Sequence, residues 1–119
     1  MAENLEKFEV LLADYYAAFN RRDVPVLLAA MTPDVAWPNG WEGGSVHGRA
    51  AVSEYWRRQW EEIDPTVTPT AYAMEPDGRI AVTVDQLVRD RAGAVLFERT
   101  VTHVYRFVDG LVSDMEIRE

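Results

Sequence analysis

The stretch Val95–Val108, VLFERTVTHVYRFV, alternates along its length up to the dipeptide Asp109-Gly110. A period of two belongs to a β-strand, whose successive side chains point to opposite faces of a sheet. One face of this strand would carry Phe97, Arg99, Val101, His103, Tyr105 and Phe107. The other would carry Glu98, Thr100, Thr102, Val104, Arg106 and Val108. The first set is the more apolar and is expected to look inward. Two ionisable groups are embedded in it, and a buried polar group is costly unless something satisfies it. Arg99 and His103 therefore need partners, water or a ligand.

The rest of the chain can be arranged around that strand. Period-two runs are read at about 66–75, 79–90, 95–108 and 111–118, separated by Pro76-Asp77-Gly78, Ala92-Gly93 and Asp109-Gly110. Asp-Gly between apolar runs is a strong hairpin signal. In the second run the inward stripe is Ile80, Val82, Val84, Gln86 and Val88, with Gln86 the odd polar member. Pairing through the turn near residues 92–93 brings Gln86 within a rung or two of Arg99 or Val101. In the last run Leu111, Ser113, Met115 and Ile117 are taken as inward.

The first half has helical spacing instead. Leu5, Phe8, Leu12, Tyr15 and Phe19 mark a helix over residues 4–20 that Asn20 can close. Asp23 is an expected N-cap and Pro25 a first-turn proline for a short helix through about Met31. Residues 35–47 read as a short strand and an irregular loop. Gly48 opens a third helix striped by Val52, Tyr55, Trp56, Trp60 and Ile63, and Asp64-Pro65 stops it. Helices first and a strand meander afterwards describe one α+β domain over residues 1–119, with the helices on one face of the sheet.

Acidic residues outnumber basic ones by 20 to 12, for a formal charge of -8. That balance argues against nucleic acid or an anionic membrane as a partner, since both attract basic patches. No cysteine is present, which excludes disulfides and thiol chemistry and fits a reducing cytoplasm. The segment MAENLEKFEVLL does not read as a signal peptide, and no apolar run approaches the roughly 18 residues of a membrane span. A soluble, cytoplasmic protein is the expectation.

Four segments in this order and spacing carry a resemblance: YYAAFNRRD at 15–23, WPNGWEGG at 37–44, HGRAAVSEYW at 47–56 and HVYRFVDGLV at 103–112. Together they make the chain similar to the SnoaL-like and ketosteroid-isomerase-like branch of the nuclear transport factor 2-like superfamily. The resemblance implies a cone-shaped barrel of three N-terminal helices packed on a curved, mainly antiparallel sheet. It also implies a deep apolar pocket and frequent homodimers. It places the isomerases' oxyanion-binding tyrosine on Tyr15 and their second oxyanion donor on His103. Their proton-shuttling aspartate is replaced by Trp37, and an indole cannot take a proton from carbon. The last-strand aspartate of the related limonene epoxide hydrolases is replaced by Ile117. Tyr15, Tyr16, His47 and His103 are compatible in type with the metal-free tyrosine–histidine pocket of scytalone dehydratase, without a motif match.

The candidate catalytic groups are therefore His103, Tyr15 and Gln86. Histidine can serve as acid, base or donor near neutral pH. The plainer alternative is a core histidine satisfied by Gln86 or Tyr15. Candidate ligand contacts are Phe19, Trp37, Trp41, His47, Trp56, Trp60, Arg99, Val101, Met115 and Ile117. Trp56 and Trp60 are helix-core residues first, whereas Trp37 and Trp41 line or lid the pocket or enter a dimer interface. His47 stands at the pocket mouth or in solvent, and Glu42 is an alternative base. Arg99 lies roughly 13 Å from His103 along the strand, at about 3.3 Å per residue, and binds a carboxylate ligand or pairs with a surface acid. Two histidines without companion carboxylates suggest no metal site. The expected activity is cofactor-free isomerisation, dehydration or cyclisation of a small hydrophobic carbonyl or hydroxyl compound. The alternatives are a non-catalytic small-ligand-binding protein and a dimeric interaction module.

Overall fold

The computed structural model describes residues 2–40 and 43–119, with side chains from Leu5 onward. Its elements run α1 (Ala2–Asn20), α2 (Val24–Ala29), β1 (Met31–Pro38), β2 (Ser45–His47), α3 (Arg49–Glu62), β3 (Ile63–Met74), β4 (Ile80–Asp90), β5 (Val95–Val108) and β6 (Leu111–Arg118). The strands form one curved sheet in the order β2-β1-β6-β5-β4-β3. Every neighbouring pair is antiparallel except β1 with β6. The expected architecture of N-terminal helices on a mainly antiparallel sheet is the one observed. No helix among the described residues is long and apolar enough to cross a membrane.

Helix α1 buries Leu12, Tyr15, Tyr16, Ala18 and Phe19, the stripe its helical spacing dictates. At its end Asn20 brackets the edge strand β3: its amide Nδ2 donates to Val67 O at 2.8 Å, and Val67 N donates to Oδ1 at 2.9 Å. A primary amide thus substitutes for a neighbouring strand and satisfies backbone groups an edge leaves unpaired. The edge position also explains Pro65 and Pro69 within β3, because no second neighbour needs their missing N–H.

Several boundaries differ from the sequence reading. Asp23 occupies the N-cap position of α2 but makes no side-chain cap bond; it faces Arg21 at 3.4 Å instead. The helix ends at Ala29, since Met31 already begins β1 beside Val112 of β6. Ile63, Asp64 and Pro65 do not end α3 but open β3, where they pair with Asp90, Arg89 and Val88. In β6 Met115 and Ile117 lie on the inward face as expected and line the cavity, but at the start of the strand the buried residue is Val112 rather than Leu111 or Ser113. The reason is a register irregularity: Arg106 faces Asp114 and Phe107 faces Val112, leaving Ser113 as the extra residue. Its hydroxyl donates to Arg106 O at 3.2 Å, and the phase of the strand slips by one.

Strand β5 follows its alternation only in part. Val101, His103 and Tyr105 are buried as expected, but all residues from Val95 to Thr100, Phe97 and Arg99 included, are exposed. Strand β6 stops opposite Thr102, so the first half of β5 pairs with β4 alone.

Candidate functional site

A cavity of about 370 Å³ lies between the helices and the sheet. Its inner wall brings together Tyr15 and Tyr16 from α1, Trp37 from β1, Trp56 from α3, and His103 and Tyr105 from β5. Its outer part is bounded by Gln86 of β4, Leu96, Phe97 and Arg99 of β5, and Ile117 of β6. Trp37 packs edge-on against Trp56, with ring centres 5.4 Å apart, and Phe19 meets Trp56 at 5.8 Å. Aromatic walls of this kind supply large apolar area with a fixed shape.

A hydrogen-bonded relay runs along the inner wall. The Tyr105 hydroxyl donates to Tyr16 Oη at 2.7 Å, and Tyr16 Oη lies 2.9 Å from His103 Nδ1. The ring nitrogen is donor or acceptor according to the tautomer. The tautomer with its hydrogen on Nε2 lets Tyr16 donate to Nδ1, so that both phenol hydrogens of the relay are placed within it. No partner for Nε2 exists among the described residues, and His103 lines the cavity. Burial lowers its pKa to about 4, so the ring is neutral at physiological pH. Burial likewise holds the Tyr15, Tyr16 and Tyr105 hydroxyls above the usual phenol range. For Tyr15 and Tyr16 the neighbouring Tyr105 adds to the effect.

Tyr15 differs from its neighbour in one respect. Its hydroxyl is buried in the cavity wall and has no hydrogen-bond partner among the described residues. An unmet buried donor costs about 1–3 kcal/mol, and such groups call for an explanation such as a ligand.

The structure sorts the expected residues. His103, Tyr15 and Gln86 all line the cavity, as do Phe19, Trp37, Trp56, Arg99, Met115 and Ile117. The expected partner of His103 was Gln86 or Tyr15; the observed one is Tyr16, because Gln86 stands opposite Arg99 and Val82 stands opposite His103. Gln86 Oε1 accepts from Arg99 Nε at 3.4 Å. Val101 is packed into the apolar core and does not line the cavity. Trp60 stacks behind Trp56, under the Arg22 guanidinium at 5.0 Å, and also does not reach it. His47 is exposed on β2, opposite Ala36, away from the cavity lining. Trp41 and Glu42 lie outside the described residues.

Two residues of the relay were not among the candidates. Tyr105 had a signal, standing two residues from His103 on the same strand face. Tyr16 had a weaker one, since a helix neighbour of Tyr15 points about 100° away and its contact depends on where the sheet curves. Tyr55 and Gln59 of α3 also line the cavity, and Tyr55 Oη accepts from Gly40 N at 2.9 Å. No carboxylate lines the cavity among the described residues.

An α+β cone with an aromatic cavity between helices and sheet defines the nuclear transport factor 2-like class. Residues 12–115 match the SnoaL-like domain family, and the chain belongs to it. No curated protein matches the chain. Among solved structures it is similar to a nuclear transport factor 2-like protein of unknown function from Burkholderia pseudomallei, 30% identical, with 90% of this chain and 86% of that one covered and a TM-score of 0.78. It is similar also to TerC, crystallised with polyporic acid, at 27% identity, 92% and 88% coverage and a TM-score of 0.78. A candidate polyketide cyclase from Xanthomonas campestris pv. campestris shares the fold at 21% identity, 96% and 90% coverage and a TM-score of 0.81.

Proposed function

We propose that this protein is a cofactor-free catalyst, of the isomerase, dehydratase or cyclase kind, for a small hydrophobic carbonyl compound. The observation that carries the proposal is a pair of cavity-lining residues, Tyr15 and His103, whose buried hydroxyl and Nε2 respectively have no partner among the described residues. Both groups are neutral, and neither has a protein acceptor among the described residues. They suit an acceptor-only oxygen, a carbonyl that becomes an enolate when a proton leaves the adjacent carbon. Donors fixed in a site of low dielectric stabilise such an oxyanion strongly. In the Nε2–H tautomer His103 acts as a donor and not as a base, because Tyr16 occupies its acceptor nitrogen. A substrate with an already acidic α-proton, such as a β-dicarbonyl, then needs little more than oxyanion stabilisation and water to accept that proton. Gln86 sits further out and orients the substrate. That TerC was co-crystallised with polyporic acid supports a ligand-binding cavity in this fold.

A binding protein with the same pocket is the second reading, favoured by the lack of a lining carboxylate among the described residues. Deuterium exchange at the α-carbons of 2-tetralone, followed by NMR, separates the two. Catalysis predicts exchange above the buffer rate, slowed on the order of 10² by Tyr15→Phe, the usual loss for one oxyanion donor. Binding without exchange supports the second reading. Binding and exchange that ignore both Tyr15→Phe and His103→Ala would overturn the site.

A further inference from the structure

The cavity is chemically polar in the sense of having two unlike ends. The polar groups of the inner end are neutral phenols and a neutral imidazole. At the outer end Arg99 is the one formally charged side chain among the described lining residues. Its guanidinium is held on three sides. Nε faces Gln86 Oε1 at 3.4 Å, Cζ stands 5.1 Å from the centre of the Phe97 ring, and Nη1 faces the Glu119 carboxylate at 3.3 Å. Around it Leu96, Phe97 and Ile117 line the cavity while more than a third exposed, forming an apolar collar.

From this arrangement, and resting on the carbonyl-binding reading above, we infer that the substrate carries a carboxylate that docks on Arg99 while its carbonyl oxygen meets Tyr15 and His103. Glu119 supports the choice of group. A carboxylate already stands at the guanidinium, on a side chain that is 69% exposed and easily displaced. An exposed pair of this kind contributes little and exchanges readily. Gln86 and Phe97 hold Arg99 from the strand side, so its planar fork is left to receive an incoming carboxylate. The spacing sets the length of the molecule. Residues 99 and 103 are four apart on one strand face, roughly 13 Å between Cα atoms. An apolar or aromatic body fills that interval against the aromatic wall and the collar, so the class is an elongated keto acid.

The test compares 6-(2-naphthyl)-6-oxohexanoic acid, its methyl ester and the matching phosphonate, with binding followed by quenching of the lining tryptophans. The acid is expected to bind wild type roughly fivefold tighter than the ester, as an accessible charge-assisted pair allows. In Arg99→Met, which keeps an apolar stem, that preference should vanish while ester affinity changes less than about twofold. Arg99→Lys should restore part of it, and added salt should reduce it. Equal binding of acid and ester by wild type, or a preference that survives Arg99→Met, overturns the carboxylate anchor and leaves the carbonyl site standing. Tighter binding of the phosphonate than of the carboxylate overturns the choice of anion. If neither acid nor ester binds, or if the ester binds Tyr15→Phe as well as wild type, the carbonyl site itself falls and the anchor with it.

Discussion

From Val101 to Tyr105, strand β5 runs against β4, gains β6 at Thr102 and receives Tyr16 of α1 on its inner face; Val101, His103, Val104 and Tyr105 are all buried there. From Val95 to Thr100 the same strand pairs with β4 alone, and every residue is exposed. The pleat assigns alternate faces in both halves, although Val95, Leu96 and Phe97 are all apolar and Glu98, Arg99 and Thr100 all polar. A pleat decides which face a side chain joins, but whether that face is covered depends on how far the neighbouring elements extend. The two halves consequently host different chemistry. The inner half carries neutral hydrogen bonds in a low-dielectric wall, while the outer half carries a cation in contact with water.

The largest expected contrast is in packing. Trp56 is 1% exposed and holds the inner wall with Phe19 and Trp37, so Trp56→Ala should cost about 3–5 kcal/mol in urea unfolding. Leu96 at the outer end is 53% exposed, and Leu96→Ala should stay within about 0.5 kcal/mol. A cost at Leu96 approaching that at Trp56 would mean the outer half is covered in solution, and the contrast would collapse.

The next effect is electrostatic and belongs to the inner half. Burial lowers the His103 pKa from 6.5 to about 4 in the folded protein, whereas the unfolded chain takes up the proton near 6.5. The unfolded state therefore binds more protons between those values, and stability falls as the pH drops from 6.5 towards 4. The full loss is about 3 kcal/mol, with little further change from this group below pH 4. His103→Gln, compared with wild type across that range, should show the smaller dependence on pH. Parallel curves for the two proteins would mean that His103 titrates as it does in water.

The same contrast marks what a reader of the sequence could see. The period of two placed His103, Tyr105 and Gln86 on one inward surface, and the hairpin near residues 92–93 brought Gln86 within a rung or two of Arg99 or Val101, the observed partner being Arg99. The helical stripe of α1 put Tyr15 and Phe19 towards the sheet. Three things were hidden. The one-residue slip at Ser113 inverts part of β6, and a bulge leaves no mark in an alternating pattern. The exposure of Phe97 and Arg99 depends on β6 stopping opposite Thr102, which is a property of another strand. The Tyr16–His103 bond joins residues 87 apart in the chain, and its 2.9 Å distance depends on sheet curvature that no local propensity encodes.

Breaking the relay at its centre tests whether the inner half works as a unit. Tyr16→Phe leaves the Tyr105 hydroxyl without its acceptor and His103 Nδ1 without its donor. Each is a buried group left unmet, at about 1–3 kcal/mol apiece, with relaxation expected to hold the total near 2 kcal/mol. The imidazole is also released from a single tautomer. Its ¹⁵N shifts should move from an Nε2–H pattern in wild type to a mixture in the variant. A wild-type spectrum that is already mixed would remove the tautomer assignment, whatever the stability change.

The smallest expected change lies one residue away, and its sign is the informative part. Tyr15 and Tyr16 have the same ring, the same helix and nearly the same burial, but the Tyr15 hydroxyl has no partner among the described residues. Removing it takes away a buried polar atom that the fold leaves unmet, so Tyr15→Phe should be neutral or raise stability by up to about 1 kcal/mol. Adjacent deletions of one oxygen would then act in opposite directions on the fold. Such a trade of stability for function is what a binding group held ready for an absent oxygen predicts. A clear loss of stability in Tyr15→Phe would show that its hydroxyl has a structural partner in solution, and Tyr15 would join Tyr16 as part of the scaffold.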